Sequence, residues 1–452
     1  METTEIADSV LDVDESVLID NSIESWQFCD YTPQSQNNLD VRGSPIKIVI
    51  NASDNYLIPS KSYLLIKGQL VRNDTGAAYD ANAEIALVNN AMMYLFSEIR
   101  YSINGNDMEK ISYPGQTTSM LGYLSLPDDF STSAGLKSCW SKDTSNNATS
   151  KEFNDIAGGG GPVVKNPNYN QGFAARRSLL MSAEPLGSFS FVVPFDHMFG
   201  FGEYKKVIYN VKHELTLTRM STDKEAIYRA NTVPDGKINL TSITWRVPHV
   251  KLDRVATEKF RDIILRKKVI PVAFPARTAE SSFVPQTRTF TWRTNVVSGI
   301  EKPRWIIAGF QTNKIDSQQQ NSAVFDHLKL TSAYITLNSE RYPVNDIISN
   351  FPANDYSVLY EMFDNFKKDY YGFNSLIGGT QVSFPAFKSL FPLIVFDVRH
   401  QNETVKNGII HMQLHFSFSD NVPAQTTAYV VIISDRMYRL QSDGNNLIVL
   451  TS

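Results

Sequence analysis

Hydrophobic and polar residues alternate strictly over residues 409–418, and this pattern is the clearest structural signal in the chain. One set of alternate positions is apolar and consists of Ile410, Met412, Leu414, Phe416 and Phe418. The other set is polar and consists of His411, Gln413, His415 and Ser417. Because successive side chains of a strand point to opposite faces, the alternation predicts a β-strand with one face in a core. The β-branched, apolar run 426–433 predicts a second strand that is covered on both faces.

The rest of the chain carries further strand patterns and a few helical ones. Strands are predicted at residues 46–50, 63–71, 99–103, 108–111, 189–195, 209–217, 238–247, 269–274, 287–293, 304–310, 328–337 and 391–398. Asn104-Gly105 predicts a tight hairpin turn, because both residues tolerate a positive φ. Apolar residues at helical spacing predict helices over residues 114–126, 253–268 and 354–368.

The two halves of the chain carry the same landmarks in the same order, which predicts an internal repeat. Tyr101, Ile103 and Asn104 match Ile335, Leu337 and Asn338 at an offset of 234 residues. An offset of 201 matches Phe195, Asp196, Tyr209, Val211, Leu215 and Leu217 with Phe396, Asp397, Ile410, Met412, Phe416 and Phe418. The predicted fold is all-β: two tandem eight-stranded antiparallel jelly rolls, with short helices in loops and a connecting helix. Two unrelated β domains with generic patterns are the alternative.

These patterns divide the chain into four segments. Residues 1–41 contain ten acidic residues and no Lys or Arg, which predicts a flexible acidic N-terminal arm; a disordered tail without a partner is the alternative. Residues 42–248 are the predicted first jelly roll, in which the Ser-, Asn- and Gly-rich stretch 131–178 is a long surface loop. Residues 249–268 are the predicted connecting helix, with Asp253 as its N-cap, and residues 269–452 are the predicted second jelly roll.

Charge and cysteine content limit the classes of function. The chain has a net charge of −4, and since the arm carries −10, the remaining residues carry +6. These values give no case for nucleic-acid binding through overall charge. Cys29 and Cys139 are too few for a disulfide framework and suit a reducing compartment, and the sequence leaves open whether they pair. We expect neither a secretory signal nor a membrane span, because no apolar run reaches about 18 residues.

A search for reactive groups finds no phosphate-binding loop, nucleophile elbow or zinc motif. This result favours a structural or binding protein, and no catalytic residue, cofactor or metal is predicted. His213 falls on the apolar face of its strand, which predicts a hydrogen-bonded core histidine. Asp196 and Asp397 follow strands, so we expect them to bond within turns, with paired catalytic acids as the alternative.

The candidate interface is the polar row of the strand described first: His411, Gln413, His415 and Ser417. If the chain packs against other copies of itself, we expect this row to face another jelly roll or another subunit. A metal site at His411 and His415, and a row that simply faces water, are the alternatives.

Three stretches resemble double jelly-roll major capsid proteins of the adenovirus-hexon type, in particular those of Polinton (Maverick) elements and adintoviruses. They are residues 97–105 (Ser-Glu-Ile-Arg-Tyr-Ser-Ile-Asn-Gly), residues 391–397 (Phe-Pro-Leu-Ile-Val-Phe-Asp) and residues 422–436, which begin Val-Pro-Ala and end Ser-Asp-Arg. The resemblance spans residues 41–450, and the acidic arm has no match in it.

The resemblance implies a structural protein of a virion capsid, assembled inside the host cell and not secreted. It implies a homotrimer in which six jelly rolls form a pseudo-hexagonal capsomer. Neighbouring capsomers, with penton and minor capsid proteins, would then tile an icosahedral shell around double-stranded DNA. Residues 131–178 would face outwards, and the acidic arm would clamp neighbouring capsomers or minor capsid proteins. No direct sequence-specific nucleic-acid contact is expected, because DNA phosphates repel an acidic arm.

Two other classes of function stay open at this point. A receptor- or carbohydrate-binding β-sandwich of the spike or lectin kind would show a pocket lined by aromatic and polar residues on one set of loops. An enzyme on a β scaffold, such as a glycosidase, would need two carboxylates about 5–10 Å apart in a cleft.

Overall fold

The structure is a computed structural model of the chain. It describes residues 22–35, 39–53, 55–155, 162–294, 302–338, 340–372, 382–400, 410–442 and 447–450. Residues 1–21 of the predicted arm, the Gly-rich run 158–161 and residue 409 therefore lie outside the described residues. Antiparallel strands dominate the described part of the chain, as the alternation predicts.

The strands of the first half are β1 (Ile23–Tyr31), β2 (Pro45–Ile50), β3 (Tyr56–Leu57), β4 (Tyr63–Arg72), β5 (Ile85–Leu87), β6 (Phe96–Ile103), β7 (Asn106–Ser112), β8 (Phe153–Asp155), β9 (Val163–Lys165), β10 (Ser188–Pro194), β11 (Ile208–Tyr209), β12 (His213–Arg219), β13 (Ile227–Arg229) and β14 (Gly236–Leu252). Those of the second half are β15 (Ile270–Phe283), β16 (Thr289–Arg293), β17 (Lys302–Thr312), β18 (Leu330–Leu337), β19 (Glu340–Ile348), β20 (Ile394–Asp397), β21 (Met412–Phe418), β22 (Thr426–Ser442) and β23 (Leu447–Leu450).

Each half folds as an eight-stranded jelly roll, which confirms the predicted fold class. In the first half one sheet has the order β10-β4-β14-β1, extended by β3 and β11, and the facing sheet has the order β2-β12-β6-β7. In the second half the corresponding orders are β20-β17-β22-β15, extended by β23, and β16-β21-β18-β19. When only these eight main strands of each half are numbered, leaving out the extensions and the short strands β5, β8, β9 and β13, each jelly roll has one sheet in the order 6-3-8-1 and one in the order 2-7-4-5.

Helices lie in the connections between these strands. They are α1 (Ala91–Tyr94), α2 (Pro114–Ser125), α3 (Asp128–Thr132), α4 (Gln171–Met181), α5 (Phe195–Met198), α6 (Arg254–Leu265), α7 (Ser357–Tyr371) and α8 (Phe384–Ser389). Short 3-10 turns lie at Pro59–Lys61, Ala134–Ser138, Gly200–Glu203, Lys224–Ala226 and Phe351–Ala353. Helix α6 joins β14 to β15, and its N-cap is Asp253, whose carboxylate accepts the backbone N–H of Ala256.

Both jelly rolls have an asparagine with the same hydrogen bonds at one end of a sheet, which is the sheet of β6 in the first jelly roll and of β18 in the second. Asn104 and Asn338 follow β6 and β18 with φ values of 50° and 57°. The Asn104 Oδ1 accepts the backbone N–H of Lys212 at 2.7 Å, and the Asn338 Oδ1 accepts the backbone N–H of His411 at 2.9 Å. In return the backbone N–H of each asparagine donates to the carbonyl oxygen of the same partner. The matched bonds link each hairpin to the strand beside it.

The repeat is present, but one of its predicted offsets is wrong by two residues. Residues 103 and 337 pair with His213 and Met412, so the match of β12 with β21 has an offset of 199 rather than 201. The predicted strand 209–217 also begins later, because Tyr209 belongs to β11 in the other sheet. A shift by two leaves every side chain on its face, so alternation alone does not fix this register.

The predicted arm contains the first strand of the first jelly roll. Residues 23–31 form β1 and pair antiparallel along β14, from Ile23 opposite Leu252 to Tyr31 opposite Trp245. The prediction of a flexible arm is therefore wrong for this part of residues 1–41. The strand was missed because most of its side chains on both faces are exposed, so no alternation of apolar and polar residues marks it.

The predicted surface loop 131–178 is also corrected, because much of it is buried and hydrogen-bonded. Helix α4 begins at an N-cap, Asn170, whose side chain accepts the N–H of Phe173. The guanidinium of Arg176 is 1% exposed and forms an ion pair with Asp143 at 2.7 Å. Asn170 also donates to Asp143, and so does Asn321 of the second half. The segment is therefore held by a buried polar network that ties it to the second jelly roll.

The two apolar cores each include residues from the other half of the chain. The first core receives Val272, Phe274, Ala276, Ala323, Leu440 and Leu447 from the second half. The second core receives Met120, Leu121, Tyr123, Leu124 and Trp140 from the first half. Both cores therefore depend on the junction between the two jelly rolls.

Candidate functional site

The polar row lies on the outer face of the sheet β16-β21-β18-β19. Gln413, His415 and Ser417 are half-buried on β21, and His411 is exposed just before this strand. The alternate residues Ile410, Met412, Leu414, Phe416 and Phe418 are all buried in the second core. The strand thus has the two faces that alternation predicts, one buried and one partly exposed.

His415 is the centre of an ordered cluster on this face. Its ring stacks on Tyr334, with centroids 4.5 Å apart and planes at 12°. Its Nδ1 lies 3.2 Å from the Thr291 hydroxyl, and its Nε2 lies 3.4 Å from the Thr336 hydroxyl. Partial burial, and then the positive charge of Arg341, lower the pKa of His415. The imidazole is therefore neutral at pH 7, with one nitrogen donating and the other accepting.

Arg341 gives the same cluster a cationic side. Its guanidinium lies 3.9 Å from the centroid of the Tyr334 ring and forms an ion pair with Asp346. The corresponding face of the first jelly roll is different: Glu214 occupies the position of Gln413 and lies near Lys47 and Lys212. Aromatic residues and arginine are enriched in protein interfaces, and charged residues are depleted from interface cores. The two faces therefore differ: the first carries paired charges at this position, and the second carries an aromatic and guanidinium cluster.

The other sequence-predicted residues lie apart from this cluster. His213 is 1% exposed, and its Nδ1 bonds with the Tyr101 hydroxyl at 2.7 Å, as expected for a core histidine. Asp397 accepts the N–H of Arg399 within a turn, and Asp196 is exposed in helix α5. Among the described residues, no group of three His, Cys, Asp or Glu side chains is placed to hold a metal ion.

Cys29 and Cys139 are both free thiols in the structure. Cys139 is fully buried, and this burial raises the pKa of its thiol to about 11, so the group is protonated and unreactive at neutral pH.

Strand β1 carries an exposed aromatic surface that the sequence analysis missed. The N-terminal aromatic patch consists of Trp26 and Phe28, which are 52% and 41% exposed, together with Tyr63 and Arg246. Arg246 lies 6.0 Å from the Phe28 centroid and forms an ion pair with Asp30. The signal in the sequence is the spacing of Trp26 and Phe28 by two residues, which places both on one face of a strand.

A buried charge network joins the two jelly rolls and was also not predicted. Glu109 of β7 is 0% exposed and accepts the backbone N–H groups of Gly200, Phe201 and Arg277. The Arg277 guanidinium donates to the carbonyl oxygens of His197 and Asp196. At Gly200 a Cβ would lie 1.8 Å from the Pro275 carbonyl oxygen, so glycine permits the close approach of the two halves. Sequence offsets give no information about such contacts.

Comparison with known protein families gives a match over residues 164–438 to the family described as double jelly roll-like domain. This region covers well over half of the chain and includes parts of both jelly rolls. No curated protein matches the chain. In the part of the chain that the structure describes, no helix has the length and apolar character required to cross a membrane.

The chain is also similar in fold to solved capsid structures. A chain from the 3.5 Å structure of the Sputnik virophage matches with a TM-score of 0.59 and 11% identity, covering 100% of this chain and 93% of that chain. The mavirus major capsid protein matches with a TM-score of 0.52 and 14% identity, covering 100% and 96%. The Faustovirus major capsid protein matches with a TM-score of 0.53 and 8% identity, covering 97% and 95%. At these identities the matches establish the fold.

Proposed function

Because the chain belongs to the double jelly roll-like domain family, we propose that it is the major capsid protein of a virus or virus-like element. The observation that carries the proposal is the pair of jelly rolls with the same strand order, joined through mixed cores. Three copies of such a chain present six similar jelly rolls, and six similar units suit a pseudo-hexagonal tile. Such trimers would pack side by side into an icosahedral shell around double-stranded DNA, with penton and minor capsid proteins as further partners.

The lineage of Polinton elements and adintoviruses is part of this proposal. Its support is the place of the resembling stretches in the fold: residues 97–105 form most of β6 and its turn, and residues 391–397 end in β20. Residues 422–436 include the buried first half of β22. The resembling stretches build strands and turns, which suits a protein that assembles into a shell rather than one that catalyses a reaction.

The polar row is the proposed contact between subunits. It lies beside the His415–Tyr334–Arg341 cluster, whose aromatic and guanidinium surfaces suit a desolvated protein contact. The N-terminal aromatic patch is a second proposed contact, because Trp26 and Phe28 expose apolar surface beside the start of the described chain. The acidic residues of segment 1–41 would there clamp neighbouring capsomers or minor capsid proteins.

The connection between β7 and β10 is the proposed outward-facing end. It contains the buried network around Arg176 and lies at the end of the first jelly roll opposite the Asn104 turn, since β7 runs from that turn to Ser112. The short Asn104 and Asn338 turns would then face the shell interior.

Light scattering on the purified full chain tests the assembly. We expect a mass three times the chain mass of 50.9 kDa at micromolar concentration, and hexagonal particles in negative-stain images. A monomer at all concentrations would contradict the proposal.

Substitution at Ser417 tests the proposed contact. Ser417→Arg places a long cation on the polar row and should shift the trimer to monomers, while the free energy of unfolding changes by about 0.5 kcal/mol or less. Ser417→Thr is the matched control, because it keeps a small hydroxyl side chain, and it should remain trimeric. A trimer that tolerates Ser417→Arg would exclude this row from the contact.

A further inference from the structure

Helix α6, which connects the two jelly rolls, leaves apolar side chains exposed. None of its 12 residues, all of which the structure describes, is buried. Its inner side packs through Phe260 against the rings of Tyr56 and Tyr209, at centroid distances of 5.2 and 5.5 Å. Val255 and Leu265 are 57% and 73% exposed. The helix therefore has an inner side that packs on the first jelly roll and apolar surface that it leaves in contact with solvent.

The same helix and the turn after it carry cations without counter-charges. Residues 251–268 contain seven Lys or Arg residues and three Asp or Glu residues, so their net charge is +4. Arg254 and Arg266 form ion pairs with acidic residues four positions away on the helix. Four other cations, called the unpaired cations below, form no ion pair with a described residue: Lys259, Arg261, Lys267 and Lys268.

The exposed apolar residues lie next to unpaired cations on the helix surface. Lys259 follows Val255 by four positions, and Leu265 follows Arg261 by four positions. Residues four positions apart are neighbours on a helix. The helix thus presents two pairs, each of one apolar and one cationic side chain. Such pairs suit an acidic segment that also contains apolar residues.

The acidic segment 1–21 joins the described structure beside this helix. The backbone N–H of Asp253, the N-cap of α6, donates to the carbonyl oxygen of Ser22 at 3.0 Å. Residues 1–21 contain seven Asp or Glu residues and no Lys or Arg, and apolar residues are interspersed among the acids at Val10, Leu11, Val13, Val17, Leu18 and Ile19. Such a segment has a maximum span of about 70 Å, and α6 is about 18 Å long. The segment is therefore long enough to reach every unpaired cation.

Charge and position favour this segment over other occupants of the helix surface. An anionic lipid surface or a nucleic acid would meet the seven negative charges of the segment at the start of α6, and like charges repel. A single exposed ion pair contributes little to binding. Because the segment is covalently joined beside the helix, its local concentration there is high, and several weak pairs then suffice.

We propose that the acidic segment 1–21 docks on helix α6 of its own chain, with its carboxylates at the unpaired cations and its apolar residues against Val255 and Leu265. The segment would have to leave α6 before it could clamp a neighbouring capsomer, so docking would hold back the clamp in the unassembled chain. This consequence rests on the proposed function. The docking itself concerns one chain and stands independently of capsid assembly.

Carbodiimide cross-linking of the purified full chain, followed by peptide mass spectrometry, tests the docking, because the reagent joins carboxylates to amines in direct contact. We expect the acidic segment to cross-link to Lys259, Lys267 and Lys268. The cross-links should be lost at 1 M salt, where the screening length is about 3 Å. Lys151 and Lys165 are exposed internal controls in the connection at the other end of the first jelly roll. Equal cross-linking to these two lysines, or none to α6 and its following turn, would overturn the proposal.

Denaturing electrophoresis shows whether the segment and the helix belong to one chain. We expect the cross-linked peptides in the band of single-chain mass, 50.9 kDa. Their occurrence only in a band of doubled mass would place the segment on a neighbouring chain and overturn the assignment. Flotation with vesicles of equal parts phosphatidylcholine and phosphatidylserine should leave the full chain unbound. Vesicle binding that abolishes the cross-links would assign the helix surface to lipid instead.

Two variants that keep every lysine separate docking from the cross-linking chemistry. Arg261→Glu reverses one unpaired charge, and Leu265→Ser removes exposed apolar surface, so each should lower the cross-link yield by about fivefold. Arg293→Glu, at an exposed arginine of β16, and Val344→Ser, at a residue that is 82% exposed, are the matched controls and should keep the wild-type yield. Circular dichroism establishes that each variant is folded. Wild-type yields in both folded α6 variants would refute the docking.

Discussion

At the scale of single residues, burial rather than surface charge controls the ionisation of His213. Its ring lies between the two sheets of the first jelly roll, bonded to Tyr101 and surrounded by core residues. Burial, and then the charge of His249, lower the pKa of His213 to about 3. The position equivalent to His213 in the second jelly roll is Met412, an apolar residue. The fold therefore accepts a side chain without charge at this position.

This burial makes the stability of the first jelly roll depend on pH. Between about pH 6.5 and pH 3 the unfolded chain binds a proton at His213 that the folded chain does not bind, so stability falls as the pH falls. The contribution is about 1.4 kcal/mol for each pH unit. In the double variant Tyr101→Phe/His213→Met, we expect the slope of unfolding free energy against pH to decrease by this amount between about pH 4 and pH 6.

Urea unfolding at a series of pH values measures that slope. Tyr101→Phe alone is the control, because it removes the hydroxyl but keeps the imidazole, and its slope should stay close to that of the wild type. If the double variant kept the wild-type slope, His213 would not be the group that binds the proton.

At the scale of elements, the two asparagine turns are the sharpest evidence for the repeat. Each asparagine combines a positive φ with a side-chain oxygen bonded to the residue before the neighbouring strand. Asn104 makes one more bond, from its Nδ2 to the Leu447 carbonyl oxygen at 2.6 Å, and the Nδ2 of Asn338 has no such bond to a described residue. The Asn104 turn is therefore also hydrogen-bonded to strand β23.

Substitutions of these asparagines by alanine and by glycine separate the contribution of the side-chain hydrogen bond from that of the positive φ. We expect Asn338→Ala to cost about 1–3 kcal/mol, because it loses the hydrogen bond and places a Cβ residue at positive φ. Asn338→Gly should cost less, since glycine accepts this φ. Asn104→Ala should cost more than Asn338→Ala, because the bond to Leu447 is also lost. Urea unfolding measures all three, and equal stability of the alanine and glycine variants would exclude a contribution from φ.

The elements also show which parts of the fold the sequence could predict. Strands with one buried face, such as β21, follow from alternation, and the turn after β6 follows from Asn104-Gly105. Strand β1 does not, because its burial differs little between its two faces. The predicted offset between β12 and β21 differs from the observed one by two residues. A shift by any even number of residues preserves the alternation, so the pattern does not determine the register. The strand pairing fixes it, with Ile103 opposite His213 and Leu337 opposite Met412.

The candidate sites were predictable to a smaller extent. The polar row on β21 followed from alternation, but its stacking partner Tyr334 and its neighbour Arg341 come from other strands, and their pairing required the sheet order. The buried network of Glu109 and Arg277 was not predictable, because the two residues lie 168 positions apart in the chain. Local patterns carry no information about contacts at such separations.

At the scale of the whole molecule, the two jelly rolls share buried residues and hydrogen bonds although they repeat one fold. Val272 at the start of the second half is 1% exposed in the first core, and Tyr123 of the first half is 0% exposed in the second. The Tyr123 hydroxyl donates to the Ala323 carbonyl oxygen at 2.7 Å, and the Tyr94 hydroxyl donates to that of Ser322 at 2.8 Å. Unfolding one jelly roll alone would expose apolar residues and break buried hydrogen bonds of the other.

We therefore expect the two jelly rolls to unfold together. In native-state hydrogen exchange at fixed protein concentration, the slowest amides of β4 and β17 should open with the same free energy and the same dependence on denaturant. Val272→Ala should lower both values by about 1–3 kcal/mol, because it removes buried methyl groups from the shared junction. Val344→Ala, at a residue that is 82% exposed, should change neither. If Val272→Ala lowered the opening free energy of β4 alone, the two cores would be energetically separate, and the repeat would consist of two independent domains in one chain.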